Sequence, residues 1–215
     1  ERMTSAAFDA AEADYDGPVI AIGRAAERYG VSFDGRDDDF LLKTVGENLC
    51  IAGGKRGVIY GVYEVLERLG CRFFTATCEK VPFADELVLE ELDEAHSPDF
   101  TYREHNYYEP RVYAKFAVKS RLNGQQHPIS EKYGGHIQYS WFVHSFENIV
   151  SPEEYGEAHP EYFAMDKEGV HMLTPYKNQL CLSNPELVPI AMAAVRKNLT
   201  EHPEAEIVSI SQNDW

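Results

Sequence analysis

The sequence contains no apolar run approaching the roughly 18 residues that a membrane-spanning helix requires; the longest candidate, VPIAMAAV at 188–195, falls well short. Basic residues are also scarce. Twenty Lys and Arg face 36 Asp and Glu, for a formal net charge of -16. Repulsion on that scale disfavours nucleic acid and suits a neutral or cationic partner. Cysteine is equally sparse: Cys50, Cys71, Cys78 and Cys181 form no CxxC pair and no paired short spacing. They are too few for a disulfide framework at this length and read as buried thiols. The eight histidines include no HExxH pair, so neither a metal nor a cofactor is expected. GGKRG at 53–57 lacks the spacing and the Ser/Thr of a phosphate-binding loop and reads as a turn before a helix. The opening residues, ERMTSAAFDAAEAD, lack the basic start, apolar middle and small-residue cleavage site of an export signal.

Apolar material, in contrast, is sufficient for a core: 44% of 215 residues are hydrophobic, a length that suits one large domain or two small ones. The first 95 residues alternate strand and helix signals. PVIAIG reads as a strand, and GRAAERYG as a helix closed by Gly30. FLLKTVGENLCIAGG reads as two strands joined through Gly46, Glu47 and Asn48. In GVIYGVYEVLERLG, Val58, Ile59, Val62, Val65, Leu66 and Leu69 form the apolar stripe of an amphipathic helix ending at Gly70. CRFFTA and VLEEL are the next strand candidates. Pro98 and its neighbours then break the pattern and place a domain boundary near residue 96.

Beyond the break the units lengthen. FTYREHNYY, HIQYSWFVHSF, QLCLS and EIVSIS are expected strands. RVYAKFAVKSRLNG and SNPELVPIAMAAVRKNL are expected helices, the second capped by Ser183 or Asn184 with Pro185 at its first position, and shifted or kinked at Pro189. Four strands with intervening helices, at roughly 30 residues per unit, match half of a (β/α)8 barrel. Four parallel strands alone would leave an unpaired edge, so the chain is expected to be the N-terminal portion of a longer protein. The expected fold is α/β: a small accessory domain at 1–95, then the first four βα units of a TIM barrel at 96–215.

In such a barrel the C-terminal ends of the strands face the active site. The residues there are Arg103, Glu104, His105 and Asn106 after the first strand, and His144 after the second. Ser183 and Asn184 follow the third, and Gln212, Asn213, Asp214 and Trp215 the fourth. Fourteen of the 26 aromatic residues lie between Phe100 and Phe163, many beside charged or amide groups. That combination suits sugar rings and equally suits a Tyr-rich core or interface. Arg103 offers a fork of donors to sugar hydroxyls or a carboxylate, or a salt bridge to a neighbour. His144 serves a substrate oxygen or a backbone carbonyl, and Asn184 is read as a helix cap. QNDW is the sharpest pattern, because it puts an amide, a carboxylate and an indole together after an apolar strand. Asn198, Leu199 and Thr200 match a glycosylation sequon, a triplet that often arises by chance.

GKRGVIYGVYEVLERLGCRFF resembles the accessory domain that precedes the barrel in family 20 hexosaminidases and family 67 α-glucuronidases. PDFTYRE, SRLNG, HPEYFAMDKEG, QLCLSNPEL and IVSISQNDW together resemble the domain of unknown function 4838, linked to family 163 endo-β-N-acetylglucosaminidases. The resemblance implies a secreted or periplasmic bacterial hydrolase that cleaves β-linked N-acetylglucosamine in glycans with a retaining, acetamide-assisted mechanism. It further implies that Asp214 and Asn213 are catalytic or polarising and that Arg103 binds the terminal saccharide; Asn106, Tyr107, His144 and Trp215, at or beside the strand ends, are expected to bind substrate as well. Relatives often carry Asp-Glu or Asn-Glu where this chain has Asn213 and Asp214. Asp214 therefore either protonates the leaving oxygen or orients the 2-acetamide; the shorter side chain favours orientation, with a glutamate beyond residue 215 as the acid. Alternatives are an exo-acting α-glucuronidase and a glycan-binding protein without catalysis.

Overall fold

The computed structural model describes residues 3–4, 9–12, 15–175 and 177–214. It is a mixed α/β structure in two compact units, Glu1–His136 and Ile137–Trp215. Among the described residues, no helix is long and apolar enough to cross a membrane.

The first unit is organised by a four-stranded sheet in the order β1-β3-β2-β6. β1 (Ile20–Ile22) pairs in parallel with β3 (Asn48–Gly53). β2 (Phe40–Val45) pairs antiparallel with β3 on one side and with β6 (Asp93–His96) on the other. The twofold alternation of a strand sorts side chains between the two faces. Leu42 and Ile51, opposite each other in the ladder, face Tyr60 and Val65 of α1 (Gly57–Arg68). Cys50 and Ala52 face Ala26 on the 3-10 helix Gly23–Tyr29. Gly30 ends that helix in the left-handed conformation, φ 74°.

The GGKRG turn is a docking element. Asp37 and Asp39 lend backbone carbonyls to the N–H groups of Gly54, Arg56 and Gly57 at the start of α1, which satisfies donors that a helix N-terminus leaves open. The approach is too close for a side chain: a Cβ on Gly57 would lie 1.9 Å from the Asp39 carbonyl oxygen.

β4 (Arg72–Phe73) and β5 (Glu79–Lys80) form a two-stranded ribbon. VLEEL is not a strand. The polar DEAH segment that follows it takes the edge position because β2 supplies its partners: Lys43 meets Asp93 at 2.9 Å, and the His96 ring stacks on Phe40 at 4.6 Å. Residue 96 thus ends a strand, and the chain beyond it stays in the first unit as far as His136. FTYREHNYY, expected as a strand, is irregular down to Tyr107. No neighbouring ladder is offered to it, and the Arg103 N–H is taken by the Asn123 side chain at 2.8 Å. The helix expected after it breaks at Tyr113 into α2 (Tyr108–Val112) and α3 (Ala114–Lys119). Ala117, Val118, Leu122 and Ile129 pack this region against Ile59 and Tyr63 of α1.

The second unit contains β7 (Tyr139–Ser140), α4 (Phe146–Ile149), α5 (Pro152–Tyr155), α6 (Leu187–Glu201) and β8 (Ile207–Val208). β7 and β8 are paired in parallel. QLCLS does not join them: Leu180 bridges antiparallel to Phe163, because period-two patterning marks a strand without specifying its partner. α6 begins at Leu187, so Pro189 sits in its first turn and no kink is needed. Asn184 caps the preceding turn instead, accepting from the Glu186 N–H at 3.0 Å. Among the described residues the strands form one four-stranded and two two-stranded sheets, and none closes into a barrel.

Asn198 of the sequon is buried in α6 and accepts a hydrogen bond from the Ser140 hydroxyl, tying the helix to β7. Asn198→Ala leaves that hydroxyl without its partner in the interior. It is expected to cost about 1–3 kcal/mol, read as a lower denaturation midpoint at unchanged slope.

Candidate functional site

The C-terminal ends of the paired parallel strands in the second unit carry the densest set of candidate residues. After β7 the chain passes through three non-glycine residues in the left-handed region, Trp141 (φ 54°), Val143 (φ 43°) and His144 (φ 47°). Such conformations cost of order 1–3 kcal/mol each and persist only where the surroundings over-determine them. Here the clamp is Ser145, which is fully buried. The N–H groups of Ser145 and Phe146 donate to the Ser211 carbonyl at 3.0 and 3.2 Å, and the Ser211 N–H donates back to the Ser145 hydroxyl at 2.9 Å. The turn after β7 is thereby fastened to the segment after β8.

The clamp brings His144 and Asp214 together. His144 Nδ1 lies 3.2 Å from the Gln212 carbonyl oxygen; a carbonyl only accepts, so Nδ1 carries the proton. Nε2 lies 3.4 Å from Asp214 Oδ2, a contact that becomes an ion pair only when Nε2 carries a proton as well. The pair is open to solvent, with side chains 47% and 85% exposed, so an incoming ligand can reach both.

Asn213 points the other way. It is buried, and its Nδ2 donates to the Asn178 carbonyl at 2.7 Å and to Asn178 Oδ1 at 3.0 Å. Gln179 Nε2 donates to the Asn213 carbonyl at 2.6 Å. Asn213 therefore holds the backbone that carries Asp214, with its own amide engaged inside the fold. Asn178, fully buried, was absent from the residues chosen by pattern. It precedes an apolar segment as an unremarkable loop asparagine, and only its contact with Asn213 marks it. Ser183 Oγ lies 3.3 Å from Cys181 Sγ, and Trp215 lies outside the described residues.

Arg103, Asn106 and Tyr107 belong to the first unit. Arg103 is turned into its own unit: Nε donates to the Arg121 carbonyl at 2.7 Å and Nη1 to the Phe100 carbonyl at 2.7 Å, while Nη2 lies 3.2 Å from Asp38 Oδ1 as an ion-pair contact without a hydrogen bond, and the guanidinium sits over the Tyr60 ring. It is the salt-bridge reading of this residue that the geometry displays. Asp38 also binds Arg56, Nε to Oδ1 at 2.6 Å and Nη2 to Oδ2 at 3.2 Å, and accepts from Asn123 at 3.1 Å. Burial pulls the Arg56 pKa down, but the Asp38 hydrogen bond and charge outweigh it and leave the guanidinium firmly protonated. Burial first, then the Asp38 charge, pushes the Tyr60 hydroxyl up to about 12 against the two arginines. Neither Asp38 nor Arg56 stands out in the sequence: Asp38 lies in the polar segment DGRDDD, and Arg56 in GGKRG, which reads as a turn before a helix.

Asn106 and Tyr107 are exposed. Gln126 Nε2 bridges Glu104 and Asn106 at 3.2 and 3.3 Å, and the His105 ring packs on Tyr107 at 4.7 Å and on the buried His127 at 5.7 Å. Burial holds His127 below the usual imidazole value, with Nδ1 donating to the Pro110 carbonyl. Among the described residues no group of three His, Cys, Asp or Glu side chains could hold a metal ion.

The chain is thus a mixed α/β structure with a His–Asp pair placed after two short parallel strands of the second unit. The model of the family described as Domain of unknown function (DUF4838) matches residues 73–215. That is most of the sequence, and the chain belongs to this family. No curated protein and no solved structure matches it.

Proposed function

We propose that the full-length protein is a secreted or periplasmic glycoside hydrolase that cleaves β-linked N-acetylglucosamine in glycans with retention of configuration, the substrate acetamide acting as nucleophile. The observation that carries the reading is the convergence of His144 and Asp214 at the ends of two parallel strands, where a solvent-open carboxylate and imidazole face one point. In this reading Asp214 orients the acetamide and stabilises the positive charge it develops, and His144 holds Asp214 in place when its ring carries both protons. Asn213 fixes the backbone beneath them, and a glutamate beyond residue 215 protonates the leaving oxygen. β7, α6 and β8 are then one repeat of a (β/α)8 barrel begun in this chain, and the sheet with α1 belongs to a separate accessory domain.

The internal engagement of Arg103 weighs against a uronate-binding alternative, since its guanidinium already meets Asp38 and three backbone carbonyls. Incubation of the full-length protein with N-glycans and, separately, with glucuronoxylan oligomers tests the choice. Release of fragments ending in N-acetylglucosamine from the first alone is expected; release of uronic acid from the second would overturn it.

A further inference from the structure

A groove of about 630 Å³ lies within the second unit, along one face of α6 and opposite Trp141, Ile149 and Tyr155. Its volume falls in the range of small-ligand sites. Ile190, Ala193 and Ala194, on adjacent turns of α6, give it an aliphatic lining, and the side chains of Trp141 and Tyr155 add two aromatic rings. Polar groups also line it: Asn148, Glu154, Asn198, Glu201 and His202, with Lys197 3.8 Å from Glu201. The Tyr155 hydroxyl donates to Glu154, and burial together with that carboxylate raises its pKa.

We propose that this groove is a saccharide-binding subsite, linked to the His144–Asp214 pair through the turn that carries both Trp141 and His144. Rings offer flat apolar faces to a sugar, while carboxylates and amides in the lining match its equatorial hydroxyls. An acyl chain or apolar peptide would strand these polar groups, and a polyanion would meet a chain of net charge -16. Trp141 and His144 belong to one strained turn, three positions apart and both held at positive φ. The conformation that aims His144 at Asp214 thus also sets the indole against the groove. The choice of saccharide rests on the proposed function; the groove itself does not.

The test is a titration of the full-length protein with the β-1,4-linked trimer of N-acetylglucosamine, followed by tryptophan fluorescence, with Trp141→Phe assigning the signal. Ala193 is exposed on the helix, so Ala193→Arg fills the groove with a good helix former and leaves the melting temperature unchanged. Saturable binding is expected, weakened at least tenfold by Ala193→Arg and by Tyr155→Ala, and retained in Asp214→Ala. No saturable signal, or binding that Ala193→Arg leaves intact, would overturn the proposal. Groove-dependent binding without any hydrolysis by the wild type would support the subsite while removing the proposed activity.

Discussion

Asp214→Ala in the full-length protein is expected to lower kcat on β-linked N-acetylglucosamine substrates by about 10²–10⁴-fold, with KM and binding little changed. The asymmetry follows from when the charge appears. The acetamide is neutral in the bound substrate and becomes positive as it attacks, so a carboxylate beside it acts mainly on the transition state. Asp214 is 85% exposed, and the partner it has among the described residues is an imidazole at 3.4 Å; removing it leaves no buried group there unpaired, and the melting temperature should hold. Wild-type kcat in this variant would refute the assignment. A loss confined to KM would reduce Asp214 to a binding group.

Asp38→Ala is expected to be the most destabilising single change in the first unit, about 3–5 kcal/mol, because it leaves Arg56 buried with its charge uncompensated. Arg56 is only 5% exposed; Asp38 meets it at 2.6 Å, whereas Asp37, 58% exposed and 3.7 Å away, offers only a longer, solvent-screened contact. Arg103 and Asn123 lose the same partner. Breaking the equally short Lys43–Asp93 pair, with side chains 39% and 70% exposed, should cost no more than about 1 kcal/mol. Denaturant unfolding of the two variants side by side measures the difference, and equal losses would contradict the account of the buried cluster.

Much of the first unit was legible because local signals and tertiary demands agree there. The Gly46–Asn48 turn, the stripe from Val58 to Leu69 and the cap at Gly30 each specify their element from within a few residues. Elements decided by a distant partner were not legible. DEAH became a strand because β2 offered it a ladder, while the more apolar VLEEL did not; Leu180 took an antiparallel partner instead of a place in a parallel sheet. The GGKRG turn was recognised, but not its dependence on the carbonyls of Asp37 and Asp39.

The candidate site divides along the same line. His144 and Asp214 were chosen as residues following apolar strands, and β7 and β8 do bring them together. Arg103 was chosen by the same rule, but the stretch before it is not a strand, and the guanidinium serves its own unit. Asn178 and Ser145 carried no local signal. Their role exists only through contacts with residues 35 and 66 positions away, Asn213 and Ser211.

The most direct test of the central claim, that the mouth of the β7–β8 pair processes a saccharide through Asp214, is proton NMR of the first-formed product when the full-length protein acts on a β-linked N-acetylglucosamine glycan. The account predicts the β-anomer ahead of mutarotation from the wild type, and no product over the same interval from Asp214→Ala. An α-anomer first, no hydrolysis by the wild type, or equal rates in the two proteins would contradict it.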